Sequence, residues 1–194
     1  MNMEFTTGID DYLRKLSIAI KKIDKKSIET VIDTLIRVRK EEGRVFIFGN
    51  GGSASTASHC VCDFNKGVSS KLDKKYNFIC LSDNIATMMA IANDIGYEDV
   101  FSKQLEGRLK KEDIVFAISG SGNSKNVIKA VEYAKKKGVK IISLTGYDGG
   151  QLLKLSDCPI HVDIDDMQIT EDIHMIVCHL IASTIAKKLG YPMC

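Results

Sequence analysis

The chain has 194 residues, a formal net charge of +2 and a hydrophobic fraction of 44%. A chain of this length can bury a core as one domain, and its composition is that of a soluble globular protein. The basic residues form no dense patch that would predict nucleic-acid binding. The N-terminus lacks the pattern of a signal peptide, and no run of about 18 apolar residues predicts a membrane span.

The cysteines are scattered through the chain, and most of them lie inside apolar runs. This distribution is typical of reduced, buried thiols rather than of a disulfide framework, and it predicts a cytoplasmic protein. Cys60 and Cys62 are the two cysteines closest in sequence, and no second pair follows at the spacing of a zinc finger. We therefore predict no structural zinc site made of cysteines. The six are Cys60, Cys62, Cys80, Cys158, Cys178 and Cys194.

Segments of helical periodicity alternate with short apolar runs along the chain. Apolar residues recur every three or four positions in residues 8–22 and 27–42, which predicts two amphipathic helices, the second with Gly43 as its C-cap. Each later apolar run predicts a buried parallel strand, and a helical segment follows it. The predicted strands are 44–48, 76–80, 113–118, 139–144 and 158–162, and the predicted helices are 53–64, 84–94, 124–137, 148–155 and 168–188.

This alternation predicts βαβ units and therefore an α/β fold. We expect one domain, residues 1–194, with a three-layer, flavodoxin-like arrangement in which helices cover both faces of a five-stranded parallel sheet. An N-terminal helical segment, residues 1–43, precedes the α/β core, residues 44–194. Ligands of such sheets bind outside the carboxyl ends of the strands, so we expect the site in the turns after residues 48, 80, 118 and 144.

Three of these turns are rich in glycine and small hydroxyl residues: GNGGSAS (49–55), SGSGNSKN (119–126) and TGYDGG (145–150). Glycine lets backbone N–H groups approach an anion, hydroxyls donate further hydrogen bonds, and the following helix adds its dipole. An ordinary βα loop with an N-cap favours the same residues and would explain any one turn alone. Three such turns at one edge favour a phosphate site. The first turn has neither P-loop nor dinucleotide spacing, so a nucleotide is not predicted.

Ionisable residues lie on the helices next to these turns. His59 and Asp63 are four residues apart and so share a face of the helix that follows the first turn. Such groups could act as a general acid and a general base in a proton-transfer reaction. A plain His–Asp contact, or a core histidine in the apolar last helix, would explain the same residues, and we interpret His161 as structural. The last helix carries Glu171, Asp172, His174 and His179.

Several motifs together resemble those of the phosphoheptose isomerases of the sugar isomerase (SIS) domain superfamily. They are GNGGSASTASH, AIANDIGYEDVF, SGSGNSKNV, LTGYDGG and EDIHMIVCHL, and the likeness covers nearly the whole chain. It implies an aldose–ketose isomerase that converts sedoheptulose 7-phosphate to D-glycero-D-manno-heptose 7-phosphate through an enediol, for bacterial surface polysaccharides. It also implies a homotetramer with interfacial active sites, in which residues 1–43 pair between subunits.

The resemblance further implies a role for individual residues. Asp63 and His179 would be the acid–base pair, and four residues would bind zinc or another divalent metal: His59, Asp63, Glu171 and His179. Four serines would hold the phosphate: Ser53, Ser119, Ser121 and Ser124. The other substrate-binding residues would be Asn50, Gly51, Gly52, Asp94 and Gly120.

Two of these positions depart from the family pattern, which has Glu in place of Asp63 and Gln in place of Glu171. The extra carboxylate of Glu171 favours a divalent metal and would repel an enediolate in its absence. Eight residues of helix rise about 12 Å, so Glu171 has to lie at or before the helix start to share a metal with His179. Ionisable groups at all four positions favour an enzyme. The alternatives are an isomerase of another sugar phosphate and a non-catalytic phosphosugar-binding regulator or replication-initiation adaptor.

Overall fold

The structure is a computed structural model that describes residues 5–191. Cys194 and the first four residues of the predicted N-terminal segment lie outside this range. Two helices, α1 (Phe5–Lys21) and α2 (Lys25–Lys40), come first, as the periodicity predicts. Tyr12 of α1 donates a hydrogen bond of 2.6 Å to Asp172, which ties α1 to the last helix and raises the pKa of Tyr12 to about 12.

The end of α2 differs from the prediction by one residue. Glu42, and not Gly43, adopts the left-handed conformation, with a φ of 58°. The N–H of Glu42 donates to Arg39 and that of Gly43 to Val38, which is the pattern of a Schellman motif. Gly43 is needed for another reason, because a Cβ there would overlap the backbone oxygen of Glu112. The glycine allows a close approach of two chain segments.

Five parallel strands follow, in the order β2-β1-β3-β4-β5. This is the flavodoxin-like order, so the predicted fold class is confirmed. The chain reverses its direction of travel across the sheet between β1 and β3, and ligands bind at the carboxyl ends of the strands at such a point. The strands are β1 (Val45–Phe48), β2 (Phe78–Cys80), β3 (Ile114–Ser119), β4 (Lys140–Thr145) and β5 (Cys158–His161).

Helices follow the strands at each crossover. A π-helical segment, Asp63–Val68, continues the first of them, and a 3₁₀ turn, Tyr97–Asp99, follows the second. The sequence pattern did not predict these two pieces or the short α5, because none is long enough to show a helical period. The helices are α3 (Gly52–Cys62), α4 (Ile85–Asp94), α5 (Ser102–Leu105), α6 (Lys125–Lys136), α7 (Gly150–Leu155) and α8 (Met167–Lys188).

The sheet separates two apolar cores. Val45 and Ile47 of β1 pack with residues of α2, α3 and α8, whereas Phe46 and Phe48 pack with residues of α5, α6 and α7. All four side chains are buried, as alternate residues of a strand covered on both faces should be. The arrangement has three layers.

Helix α8 contradicts one expectation from the sequence. Among residues 5–191 it is the one helix that is long and apolar enough to cross a membrane, judged by length and composition alone. In the fold it lies against the sheet, with Ile173, Val177 and Ile181 buried. A core helix of a globular domain has the same composition, so α8 is weak evidence for a membrane span.

Candidate active site

The first two polar turns lie side by side at the carboxyl edge of the sheet, because β1 pairs directly with β3. Gly51 has a φ of 52°, where a side chain would be strained, so the first turn requires glycine. Gly49 packs between Ser53 and the carbonyl of Ile118, where a Cβ would not fit. These contacts bring the N-terminus of α3 close to the end of β3.

The predicted phosphate-binding serines lie on these two turns. Ser119 is buried, and its Oγ lies 3.2 Å from the Oγ of Ser124. Ser124 is the N-cap residue of α6, yet its hydroxyl makes no capping hydrogen bond. Ser53 lies in the first turn of α3, and Ser121 accepts a hydrogen bond from the N–H of Asn123. The backbone N–H groups and the dipoles at two helix N-termini favour an anion at this edge.

The third polar turn, residues 145–150, is hydrogen-bonded to the second, residues 119–126. The N–H of Gly146 donates to Gly120 over 2.8 Å, and that of Leu152 donates to Gly122 over 3.0 Å. Gly122 has a φ of 65°, and a Cβ there would overlap the oxygen of Gly149. An open cavity of about 670 Å³ beside this turn is lined by Ser121, Asn123, Tyr147, Asp148, Asp163, Asp165 and Met167.

His59, Asp63 and His179 converge where α3 packs against α8. The Nε2 atoms of the two histidines are 2.9 Å apart, and Oδ2 of Asp63 lies 3.5 Å from the first and 3.6 Å from the second. The histidine side chains are 46% and 50% exposed, and that of Asp63 is 16% exposed. Oδ2 of Asp63 is buried and has no hydrogen-bond partner within residues 5–191. The three side chains form a cluster that is open to solvent on the histidine side.

The backbone explains this geometry. His59 and Asp63 lie one turn apart at the end of α3, and Asp63 begins the π-helical segment. Such segments are frequent at functional sites. Behind the cluster, Cys60 of α3 contacts Cys178 of α8, and this hydrogen bond together with burial raises the pKa of the Cys60 thiol well above its usual range. Cys60 is therefore a neutral thiol. The atoms of the cluster that could bind a metal are the histidine nitrogens and the Asp63 oxygen.

The cluster fits a divalent metal. One ligand atom from each of the three residues lies within 4.8 Å of the others. Two imidazole nitrogens and a carboxylate oxygen are typical ligands of zinc, and a catalytic zinc commonly has three protein ligands and an open position. A cation between these atoms would also give the unpaired oxygen of Asp63 a partner.

The predicted fourth ligand, Glu171, does not belong to this group. Because α8 begins at Met167, Glu171 lies inside the helix, and its backbone is about 12 Å along the axis from His179. Its carboxylate instead lies against Gly52, where a Cβ would overlap it. Glu171 therefore lies next to the first polar turn.

Two residues of the site were missed by sequence reasoning. Tyr97 donates a hydrogen bond of 2.9 Å to Oδ1 of Asn50, and Asn126 exchanges two hydrogen bonds with the same amide. Both lie inside motifs that carry the family resemblance, and only this position in the sequence could have indicated a role in the site. Asp94 ends α4 and accepts a hydrogen bond from Asn93.

The two remaining histidines lie outside the cluster. His161 of β5 has its Nδ1 3.1 Å from the hydroxyl of Thr145, in line with a structural role. His174 of α8 is buried, and neither ring nitrogen has a hydrogen-bond partner within residues 5–191. Burial lowers the pKa of His174 to about 4, so it is neutral in the core.

Comparisons with known proteins agree with this geometry. The sequence profile of the SIS domain matches residues 10–146. The chain is 39% identical to the phosphoheptose isomerase of Helicobacter pylori strain P12 over 191 residues, which cover 94% of this chain and 98% of that protein. Solved structures of phosphoheptose isomerases from Neisseria gonorrhoeae (GmhA) and Francisella tularensis superpose with TM-scores of 0.86 and 0.88. Each is 25% identical, with 95% of this chain and 100% of theirs covered.

The fold, the two serine- and glycine-rich turns and the matching profile define a protein of the SIS-domain class. Within that class, the chain belongs to the phosphoheptose isomerase family. This is the family that the motifs predicted.

Proposed function

We propose that this protein is an aldose–ketose isomerase that converts sedoheptulose 7-phosphate to D-glycero-D-manno-heptose 7-phosphate. The observation that carries the proposal is the cluster of His59, Asp63 and His179. His59 lies on α3, the helix that begins in the first polar turn, Asp63 on its π-helical continuation, and His179 on α8. The three turns of α3 thus connect the edge proposed to bind the phosphate with the residues proposed to transfer the proton. A protein that only binds a sugar phosphate would need the first and not the second.

The phosphate would bind at the N-termini of α3 and α6. Ser119, Ser121 and Ser124 on one turn and Ser53 on the other would donate hydrogen bonds to its oxygens, and the helix dipoles would favour its charge. The sugar would then extend along α3 toward the cluster. Binding at a distance from the reacting carbons fixes the orientation of the substrate at C1 and C2.

The chemical step requires a proton to move between C1 and C2. Asp63 would take the proton from carbon, and His179 would exchange a proton with the substrate oxygens. A divalent metal, for which we propose zinc, would polarise those oxygens when bound to His59, Asp63 and His179. Glu171, beside Gly52, would lie near the sugar and contribute charge rather than a metal ligand.

We further propose a homotetramer with active sites at subunit interfaces. Helix α1 exposes Phe5, Ile9 and Leu13 along one side, and α4 exposes Ile85 and Met89 and buries none of its residues. Contiguous apolar surfaces of this kind mark contacts with other proteins. The cluster histidines are half exposed, and Leu180 next to His179 is 42% exposed, so a partner could cover this region too.

The proposed location is the cytoplasm. The five cysteines within residues 5–191 are free thiols, and three of them are buried. Free thiols persist in a reducing compartment.

A coupled assay of purified protein across ketose and aldose phosphates tests the function. We expect turnover of sedoheptulose 7-phosphate, loss of turnover after treatment with a chelator, and recovery on addition of zinc, with the circular dichroism spectrum unchanged throughout. Turnover of a different sugar phosphate alone would replace the proposed substrate. Tight sugar-phosphate binding without turnover of any member, with zinc present, would contradict the enzyme and support the regulatory alternative.

A further inference from the structure

We propose that Asn126 and Tyr97 are positioning residues that fix the side-chain amide of Asn50 so that it presents one N–H donor to the sugar. This inference rests on the proposed isomerase function and assigns a task to two residues outside the cluster. It is carried by a hydrogen-bonded network at the point where three chain segments meet. Those segments are the turn after β1, the start of α6 and the 3₁₀ turn after α4.

The amides of Asn50 and Asn126 form a reciprocal pair. Nδ2 of Asn50 donates to Oδ1 of Asn126, and Nδ2 of Asn126 donates to Oδ1 of Asn50, both over 2.9 Å. Asn126 is only 2% exposed, and its Oδ1 also accepts the backbone N–H of Val127 over 2.9 Å. A backbone donor fixes which end of the Asn126 amide is oxygen, and the pairing then fixes the orientation of Asn50.

Tyr97 completes the arrangement from the other side. Its hydroxyl donates to Oδ1 of Asn50 over 2.9 Å, so this oxygen accepts two hydrogen bonds, one from Tyr97 and one from Asn126. An amide oxygen has two lone pairs and an amide nitrogen two N–H donors. Within residues 5–191, Asn50 therefore keeps one N–H without a partner, and both lone pairs of its Oδ1 are used. It can donate to a sugar oxygen and would favour the form in which that oxygen carries negative charge.

Two ion pairs connect the Tyr97 segment to α6. Glu98 lies 3.1 Å from Lys125, and Asp99 lies 2.9 Å from Lys129, so the 3₁₀ turn is attached twice to α6. Ser124 and Asn126 are two residues apart at the start of that helix. The network thus connects the residue that faces the sugar to the loop that faces the phosphate.

A double-mutant cycle through Asn50 tests the inference. Tyr97→Phe and Asn126→Ala are made alone and in the Asn50→Ala background, and kcat and KM are measured with sedoheptulose 7-phosphate. We expect Tyr97→Phe to lower kcat/KM about fivefold to tenfold, the kinetic equivalent of one hydrogen bond, and Asn126→Ala to lower it about tenfold or more. In the Asn50→Ala background each further change should be less than about twofold, because both residues act through Asn50.

Two controls separate positioning from general damage. Tyr133→Phe changes the same functional group on α6 and should leave kcat/KM unchanged. The affinity for inorganic phosphate, followed by ³¹P NMR, should also stay within about twofold in every variant, because phosphate alone does not reach Asn50. If Asn126→Ala does not fold, Asn126→Asp keeps the acceptor for Val127 and replaces the donor to Asn50 with a carboxylate oxygen.

Two results would overturn the inference. Equal losses from Tyr97→Phe with and without Asn50 would mean that Tyr97 contacts the substrate itself, and a parallel loss of phosphate affinity would mean that the loops had changed shape. A wild-type protein without turnover would refute the proposed function only. In that case the affinity for sedoheptulose 7-phosphate, measured by calorimetry, replaces kcat/KM in the same cycle, and the same non-additivity is expected.

Discussion

Asp63 has a carboxylate oxygen that is buried, faces two imidazoles and lacks a hydrogen-bond partner within residues 5–191. Its side chain is one methylene shorter than the glutamate of the family pattern, yet Oδ2 lies within 3.6 Å of both histidine nitrogens. The shorter residue therefore still reaches the cluster. An unpaired buried carboxylate is costly, and a bound cation is the simplest compensation.

We expect Asp63→Asn to lower kcat by at least about 100-fold and zinc affinity by at least about tenfold. Asparagine has nearly the same size as aspartate, but it is neither a base nor an anionic ligand. Metal content by mass spectrometry and kcat by coupled assay check the two effects. Asp33→Asn, on the exposed side of α2, is the matched control. Full activity in metal-free Asp63→Asn would remove Asp63 from both roles.

Ser121 is predicted to bind the phosphate, and its hydroxyl is held by the N–H of Asn123. Loss of a hydrogen bond to a charged group costs about 1.5–3 kcal/mol, so Ser121→Ala should raise KM at least about tenfold with little change in kcat. Steady-state kinetics measure the separation, and Ser70→Ala, an exposed serine, serves as control. An unchanged KM in a variant lacking Ser119, Ser121 and Ser124 would disprove the phosphate assignment.

His174 predicts a pH dependence of stability. Its pKa is about 4 in the folded protein, against an ordinary 6.5. As pH falls below about 6.5 the unfolded chain binds a proton first, so folding stability decreases between pH 6.5 and 4, by up to about 3 kcal/mol. The difference in unfolding free energy between wild type and His174→Leu, from urea titrations at pH 7.5 and 5, isolates this contribution. Parallel pH curves for the two proteins would show that His174 is not the cause.

Sequence reasoning located some of these residues better than others. The contact of His59 with Asp63 follows from four-residue spacing on a helix, but their approach to His179 depends on how α3 packs against α8, which no local pattern encodes. Residue spacing alone could not decide whether His179 is a core residue or part of the site. Only the family resemblance predicted its role in the site. The resemblance also suggested Glu171 as a ligand; the cluster of three does not include its carboxylate, and that assignment stays a prediction.

Among the elements, β2 is a strand whose backbone is hydrogen-bonded by side chains where a neighbouring strand is missing. The prediction began at residue 76, whereas β2 begins at Phe78. Asn65, in the π-helical segment, accepts from the N–H of Phe78 and donates to its carbonyl, and Ser69 accepts from the N–H of Tyr76. These backbone groups are satisfied without a neighbouring strand. The other strands lay close to their predicted limits because strands buried on both faces leave continuous apolar runs.

The starts of β1 and β3 are joined by a buried ion pair at the edge opposite the site. Asp113 is 2% exposed and accepts hydrogen bonds from the backbone and side chain of Arg44 and from the N–H of Lys110. Burial alone would raise the pKa of Asp113, but these hydrogen bonds outweigh burial and hold it below its usual range.

Asp113→Asn should therefore reduce the unfolding free energy by about 2–4 kcal/mol, because it leaves a charged guanidinium without its buried partner. Urea unfolding at pH 7 measures this loss. The KM should stay unchanged, since the pair is at the far edge of the sheet. A loss below about 0.5 kcal/mol, or a changed KM, would contradict this account.

For the whole molecule, the apolar surface of α1 predicts assembly. Light scattering at micromolar concentration should give the mass of a tetramer, and Ile9→Glu or Leu13→Glu should produce smaller species with reduced activity, because each places a charge in the apolar contact. Thr7→Glu adds the same charge on another side of α1 and should leave the tetramer intact. A fully active monomer would refute both the assembly and the interfacial site.

The predicted class of fold and family are confirmed for the whole molecule, and the division into residues 1–43 and 44–194 stays a prediction. Ile28, Leu35 and Val38 of α2 pack into the same core as α3 and α8. Periodicity shows which side of α2 is apolar, but not whether the sheet or another subunit covers it. A single sequence leaves that distinction to the structure.

The contact of Gly122 with Gly149 has a consequence for how this enzyme family can vary. A Cβ at Gly122 would overlap the backbone of Gly149, and a Cβ at Gly150 would overlap the side chain of Asn123. The turn 119–126 and the turn 145–150 are therefore in close contact, and neither can accept a larger residue at these glycines without displacing the other. Gly122 and Gly149 are 27 residues apart in the sequence, yet a change in one segment has to be matched by a change in the other. A chimera that takes one from a distant relative and keeps the other would join surfaces that were never selected together, even if every serine were retained.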